Sequence, residues 1–273
     1  MNIRHSLPLP LRVAGPALIC AILAFLLLPV VVVALTSFNG SALLSFPPQT
    51  WSLRWFERVF TYSDFKQGFQ SSLIVTLWSS LIALAIGTGV MVAVKRLDFR
   101  GKDTLQAILQ LPMVVPQFTL GLGLLIMVFE SRMERGYAIM VLCHVILVLP
   151  FVLRSVYVSM ENLDERLEHA ATSLGATPLK VVFTVMIPQL APGLFGGWLF
   201  AAILSFNEFT ASLFIATENT QTLPIVMYNY VRQFADPTLA ALSVLYVVIT
   251  ASLLVFANYF LGLSKVLGIE ESR

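Results

Sequence analysis

Charge is what this chain has least of. Only 12% of its 273 residues are Asp, Glu, Lys or Arg, about half the share of roughly 25% in a soluble domain. Hydrophobic residues make up 58%. A soluble core cannot hide that much apolar surface, so the solvent has to be lipid, and the length suits one membrane domain. Cysteine is nearly missing too. Cys20 and Cys143 lie in apolar runs without CxxC spacing, which implies neither a disulfide nor a metal site. No GxxxxGKS or GxxxxGKT occurs, so the chain does not bind ATP through a P-loop. HExxH, GxSxG and any cluster of His, Cys and carboxylate at metal spacing are absent as well. The three histidines, His5, His144 and His169, are scattered. His144, inside an apolar run, reads more readily as a packing residue than as a ligand. No catalytic residue, cofactor, metal or nucleic-acid partner is expected of this chain. Soluble domains, low-complexity stretches and internal repeats are lacking.

What the chain has is long apolar runs. Val13 to Leu35 carries no charge over 23 residues. At 1.5 Å per residue that is about 35 Å of helix, enough to cross a hydrocarbon core of roughly 30 Å. It is too long for the core of a cleavable signal peptide, so a retained first span is expected. Phe38 to Gln67 is polar and aromatic, an external loop with an interfacial helix around Trp51 to Phe60, where Trp and Tyr favour the headgroup level. Further spans are expected at about Phe69–Val94, Leu105–Phe129, Tyr137–Tyr157, Pro192–Ala216 and Leu239–Leu263. The third is interrupted by Pro112 and Pro116. Thr217 to Pro237 reads as an external loop. The pattern predicts an all-α membrane protein of six spans. It divides into a first helix and loop (residues 1–67), a five-helix core (68–263) and a tail (264–273).

Basic residues set the orientation. With the N-terminus inside, the inner segments hold eleven of the 17 lysines and arginines. The strongest vote is Lys95, Arg96, Arg100 and Lys102 after the second span. This bias follows the positive-inside rule and places both termini in the cytoplasm of a multi-pass membrane protein.

The same orientation puts Leu163–Pro192, the longest polar insertion of the second half, on the cytoplasmic side. Leu163, Leu167, Ala170, Ala171 and Leu174 follow one face of a 3.6-residue period. Asp164, Glu165, Arg166, Glu168 and His169 take the other, with acids in the first turn, where the helix dipole favours them. Gly175 stands where a left-handed residue ends a helix. Thr177-Pro178 reads as N-cap and first residue of a second short helix, with Pro188 and Pro192 expected to break it. A helix this short is marginal alone, and a partner's groove would supply the missing burial. The alternative is a helix lying on the membrane, against which the acidic polar face argues.

One ionisable residue falls inside a span. Glu208 follows Asn207 in the fifth and costs about 2.5–3.5 kcal/mol at a helix centre on insertion scales. It either lines a pathway with Asn207 or caps a loop and hydrogen-bonds a neighbour. The sequence leaves both open.

From His169 to Pro188 the residues resemble the EAA loop of type I ABC transporter permeases, the membrane subunits of binding-protein-dependent importers. That family's pattern is Glu-Ala-Ala, three residues, Gly, nine residues, then Ile-x-Leu-Pro. Here His169-Ala170-Ala171 is followed by three residues, Gly175, nine residues and Val185-Met186-Ile187-Pro188. Every spacing fits, but a histidine replaces the glutamate, with Glu168 one position earlier. The six-span layout and Ser205-Phe206-Asn207-Glu208-Phe209 also look like the family. The resemblance implies a type I importer permease fold with a cytoplasmic coupling helix in the loop 161–192. Glu168, His169, Ala170, Ala171, Leu174, Gly175 and Pro188 would meet the ATPase, and Phe206, Asn207, Glu208 and Phe209 would line the pathway. It further implies a bacterial inner membrane and several partners: two cytoplasmic ATPase subunits that hold ATP and Mg, a second and different permease chain, and an extracytoplasmic binding protein. Thr222-Leu223-Pro224, Tyr228, Arg232 and Asp236-Pro237 look like the spermidine/putrescine subgroup. That subgroup shades into importers of iron, thiamine and phosphonate. A stand-alone channel or secondary transporter is the rival from another class.

Overall fold

The first described helix, α1 (Leu9–Thr36), has no polar face to turn toward water. Its stretch Ala14–Thr36 is long and apolar enough to cross a membrane and buries none of itself within the chain. Phe25 is 77% exposed. Such a surface belongs in hydrocarbon. The computed structural model describes residues 9–42 and 45–261. These divide into two compact units, one within Met1–Ser63 and Asn229–Leu253, the other within Asp64–Tyr228 and Leu254–Arg273.

In the first unit, α1 leads to a loop and a short helix, α2 (Arg54–Thr61), close to the interfacial helix expected from the aromatic residues. The buried Trp55 indole donates to the Asn39 carbonyl at 2.6 Å. The Phe38 and Phe56 rings lie 5.1 Å apart. Asp236 accepts from the Tyr230 hydroxyl and from the Thr238 N–H, and pairs with Arg58 at 3.8 Å. Burial pushes the Tyr230 phenol above its ordinary value.

The second unit carries most of the remaining helices. They are α3 (Ser63–Arg96), α4 (Lys102–Val114), α5 (Gln117–Glu130), α6 (Tyr137–Glu161), α7 (Glu165–Ser173) and α8 (Pro178–Val181). A π-helical turn, Val182–Met186, leads into α9 (Ile187–Phe206), which is followed by the short α10 (Ser212–Ile215). Then come α11 (Leu223–Gln233) and α12 (Thr238–Leu261), whose residues 229–233 and 238–253 belong to the first unit. The segment expected to be a bare external loop before α12 thus contains an 11-residue helix.

The core of this unit forms where α6 meets α9. Val148, Val152, Leu153, Val156 and Met160 of α6 are buried with Leu190 and Ala201 of α9 and with Ala83 and Met91 of α3. Close approach is set by small residues, as membrane helix pairs require. A Cβ on Gly197 would lie 2.9 Å from the Ser155 side chain, and one on Gly193 would overlap Ser159. Ser155 also donates to the Gly193 carbonyl at 3.0 Å.

Two expectations about prolines and spans change, and a third is sharpened. The interruption expected in the third span is a 107° bend between α4 and α5 at Pro116, while Pro112 lies within α4. Pro116 holds the preceding Val115 in extended backbone at φ −76°, ψ 131°, because a residue before proline is pushed out of the α region. Pro188 and Pro192 do not end the loop's second helix. Instead Pro178–Phe206 runs as one 29-residue helix. The π turn absorbs the missing donors there, and Ile187 N–H reaches back to the Val182 carbonyl. The fifth span closes at Phe206, where Asn207 N–H bonds the Ile203 carbonyl, so Asn207 and Glu208 lie just past its end.

Four described helices are long and apolar enough to cross a membrane, and a fifth span results if α4 and α5 count as one. By the same measure α12 contributes a shorter apolar stretch, Thr238–Ser252.

Candidate coupling loop and pathway residues

Local sequence folds the loop after α6 in the expected way. Asp164 caps α7, its carboxylate accepting from the Arg166 N–H at 3.0 Å. Gly175 ends the helix at φ +84°. Ala176 N–H bonds the Ala171 carbonyl at 3.1 Å and Gly175 N–H the Thr172 carbonyl at 2.9 Å, a left-handed closure that favours glycine. Thr177 caps α8 with Pro178 in its first turn.

On α7 the half-buried Glu168 turns inward and accepts from Arg96 at the end of α3. Lys95 lies 3.9 Å from the exposed Glu165 and 3.8 Å from Glu161, the last residue of α6. Leu167 is 50% exposed, and Leu174, just past the helix end, 88%. Ala170 is exposed and Ala171 half-buried. Leu179 and Phe183 of the next segment are also exposed. Leu163 before α7 packs against the core, as do Val182 and the buried Met186 of the π turn. His169, at the glutamate position of the motif, is exposed, and Glu168 beside it carries the ion pair. Pro188 is exposed on the first turn of α9. Nine residues are too few to hold α7 in place alone. Its position rests on the charge contacts of Glu165 and Glu168 to α3 and on packing against α8 and the π turn.

The four expected pathway residues cluster at the end of α9 in unlike environments. Asn207 is exposed and donates to the Ile203 carbonyl at 2.7 Å. Phe206 is half-buried, edge-on to Phe69 at 6.1 Å. Phe209 is half-buried and lies 5.2 Å from Tyr228. Glu208 is only 7% exposed. Its carboxylate accepts from Ala211 and Ser212 N–H, each at 2.8 Å, and from the Ser212 hydroxyl.

Behind Glu208 runs a chain of buried hydroxyls. His144 lies 2.8 Å from both Ser205 and Ser212, and Ser205 lies 2.9 Å from Ser79 of α3. Since Ser212 gives its one proton to Glu208, its oxygen accepts from Nε2–H of His144. Nδ1 of a neutral imidazole then accepts from Ser205, while the Ser79 hydroxyl lies between Ser205 and the Thr76 carbonyl, 3.3 Å away. The chain therefore has a direction, and it ties α3, α6, α9 and α10 together. Sequence reasoning did not link Ser79, Ser205 and Ser212. A serine in a membrane helix is unremarkable until its partner helix is known. Among the described residues no group of His, Cys, Asp and Glu could hold a metal ion.

Known proteins place this architecture. The spermidine/putrescine transport system permease protein PotC of Escherichia coli (strain K12) is 27% identical over 248 residues, 91% of this chain and 93% of that protein. The putrescine transport system permease protein PotI of the same strain is 29% identical over 228 residues, 81% of each chain. The crystal structure of a bacterial ABC transporter involved in the import of the acidic polysaccharide alginate contains a chain that superposes with a TM-score of 0.69 at 16% identity. That match covers 91% of this chain and 95% of that one. Residues 85–263 match the family model for binding-protein-dependent transport system inner membrane components. Because that match covers more than half of the chain, including α6 through α9 and the loop between them, the chain belongs to the family of binding-protein-dependent transport system inner membrane components.

Proposed function

We propose that the chain is one of two permease subunits of an ATP-driven importer, and that its substrate class is the polyamines. The observation that carries this reading is α7, which is fastened to α3 through Glu168 and presents Leu167 and Ala170, with Leu174 just past its end, outward. An unburied apolar edge on a helix too short to stand alone fits the groove of a cytoplasmic ATPase. ATP-driven closure of two such ATPases would pull α7, and α3 with it through Glu168–Arg96. The bent α4–α5 pair and the π turn before α9 are the places in this unit where the backbone departs from straight helix and can yield. The apolar stretch of α12 completes six spans with both termini in the cytoplasm. The partner permease is a different chain, and a binding protein delivers substrate to the outer loops.

Polyamine specificity rests on the names of the PotC and PotI relatives and on the residues at the end of α9. Asn207 is the polar side chain open to a passing solute, and Phe206 and Phe209 flank it with rings that attract a cation. Glu208 adds a carboxylate just behind and holds the turn in shape through Ser212. The test is uptake of labelled putrescine into vesicles carrying the four-component transporter. Asn207→Leu is expected to cut uptake at least tenfold while assembly with the ATPase persists. Unchanged uptake in that variant removes this stretch from the pathway.

A further inference from the structure

The end of α5 carries a feature that transport does not use. Arg132 adopts a left-handed backbone at φ +52°. Its N–H bonds the Phe129 carbonyl and the Met133 N–H bonds the Val128 carbonyl, each at 3.0 Å, closing the helix in the manner that favours glycine. At the two other left-handed positions among the described residues the chain does use glycine, Gly101 and Gly175. An arginine held in a strained conformation points to a task for its side chain.

Arg132 lines a cavity of about 340 Å³ together with Arg135, Val128, Phe129 and Met133. Phe129 is 64% and Met133 47% exposed, and the Arg135 guanidinium lies 5.6 Å from the Phe129 ring. Neither arginine is in an ion pair with a carboxylate among the described residues. Below the cavity, Phe118, Leu122, Ile126 and Phe129 are all exposed and fall on one face of α5 by their spacing. The cavity sits at the end of the helices away from α7. Tyr137, the first residue of α6, meets Ser71 near the start of α3 at 2.8 Å, whereas Glu161 at the other end meets Lys95.

The geometry points to a binding site for an anionic phospholipid, its headgroup phosphate between Arg132 and Arg135 and an acyl chain along the exposed face of α5. Two cations without carboxylate partners above an apolar stripe match the two halves of that molecule. A free anion would use the arginines but not the stripe, and lipid is the occupant for which both are present. Arginine also suits a phosphate through its forked donors.

The test uses the full chain in nanodiscs of phosphatidylcholine alone or mixed with phosphatidylglycerol. The anionic lipid is expected to raise the thermal midpoint by on the order of 2–4 °C. The R132Q/R135Q variant is expected to lose that gain. Basic residues elsewhere also attract anionic lipid, so the difference between wild type and variant is the quantity read. Arg132→Gly guards against misfolding. Relief of the left-handed strain should hold its midpoint in phosphatidylcholine at or above wild type, while its phosphatidylglycerol gain shrinks. Three results overturn the site: no gain in wild type, an equal gain in the double variant, or the same gain from inorganic phosphate in phosphatidylcholine discs.

Discussion

At the scale of single residues, the proposed coupling loop depends on two that do different things. Gly175 meets nothing within 4 Å at its Cβ position, so replacement is opposed by its backbone angle and not by crowding. Gly175→Ala is expected to cost about 1–2 kcal/mol, read as a lowered unfolding midpoint, with the loop otherwise intact. Glu168 is expected to matter less for stability than for transmission. Its pair with Arg96 is partly exposed, with side chains 17% and 31% accessible. Glu168→Gln should therefore cost about 1 kcal/mol or less, yet reduce ATP-driven uptake by much more than that loss of stability explains. Equal declines in stability and uptake would make the pair a mere staple. Buried polar residues behave otherwise. Ser212→Ala would leave His144 Nε2 and one Glu208 oxygen each short of a partner. The expected cost is about 1–3 kcal/mol, measured by thermal unfolding in detergent. Spacing in the sequence marked Gly175 and the Ala pair, because a left-handed turn and a close approach demand particular residue types. It could not say that Glu168 would turn inward, since that is decided by Arg96 some seventy residues away.

At the scale of elements, the α6–α9 pair is the firmest joint in the second unit, and it rests on glycines opposite serines. Gly197→Leu must displace Ser155 and part the helices. Overpacking of this kind costs about 1–3 kcal/mol, and the variant's midpoint should fall accordingly while Gly89→Leu, with nothing near its Cβ, leaves it unchanged. Hydropathy found these helices because lipid imposes long apolar runs. The breaks were less legible. Pro116 and Pro188 are the same residue type in similar runs, yet one bends a span by 107° and the other sits in a continuous 29-residue helix. What separates them is local. Val115 is held extended before Pro116, whereas the π turn before Pro188 reroutes the hydrogen bonds. The end of α9 was equally hidden, because Glu208 stops the span through contacts with Ala211 and Ser212 that composition does not reveal.

At the scale of the whole molecule, composition excluded the soluble classes, and the motif register from His169 to Pro188 marks the segment that we propose meets an ATPase. Its outward apolar edge is what a structure adds to that register. On the proposed mechanism, energy from ATP reaches the pathway only if α7 is gripped. The decisive comparison is ATP-driven putrescine uptake by proteoliposomes containing this chain, its partner permease, the ATPase and the binding protein, with Gly175→Trp measured beside wild type and Gly175→Ala. Uptake is expected to vanish in Gly175→Trp, whose bulk stands in the ATPase groove, and to persist in Gly175→Ala, with both variants inserted in the membrane. Wild-type uptake by Gly175→Trp, or uptake that continues without ATP, would contradict the coupling role of α7.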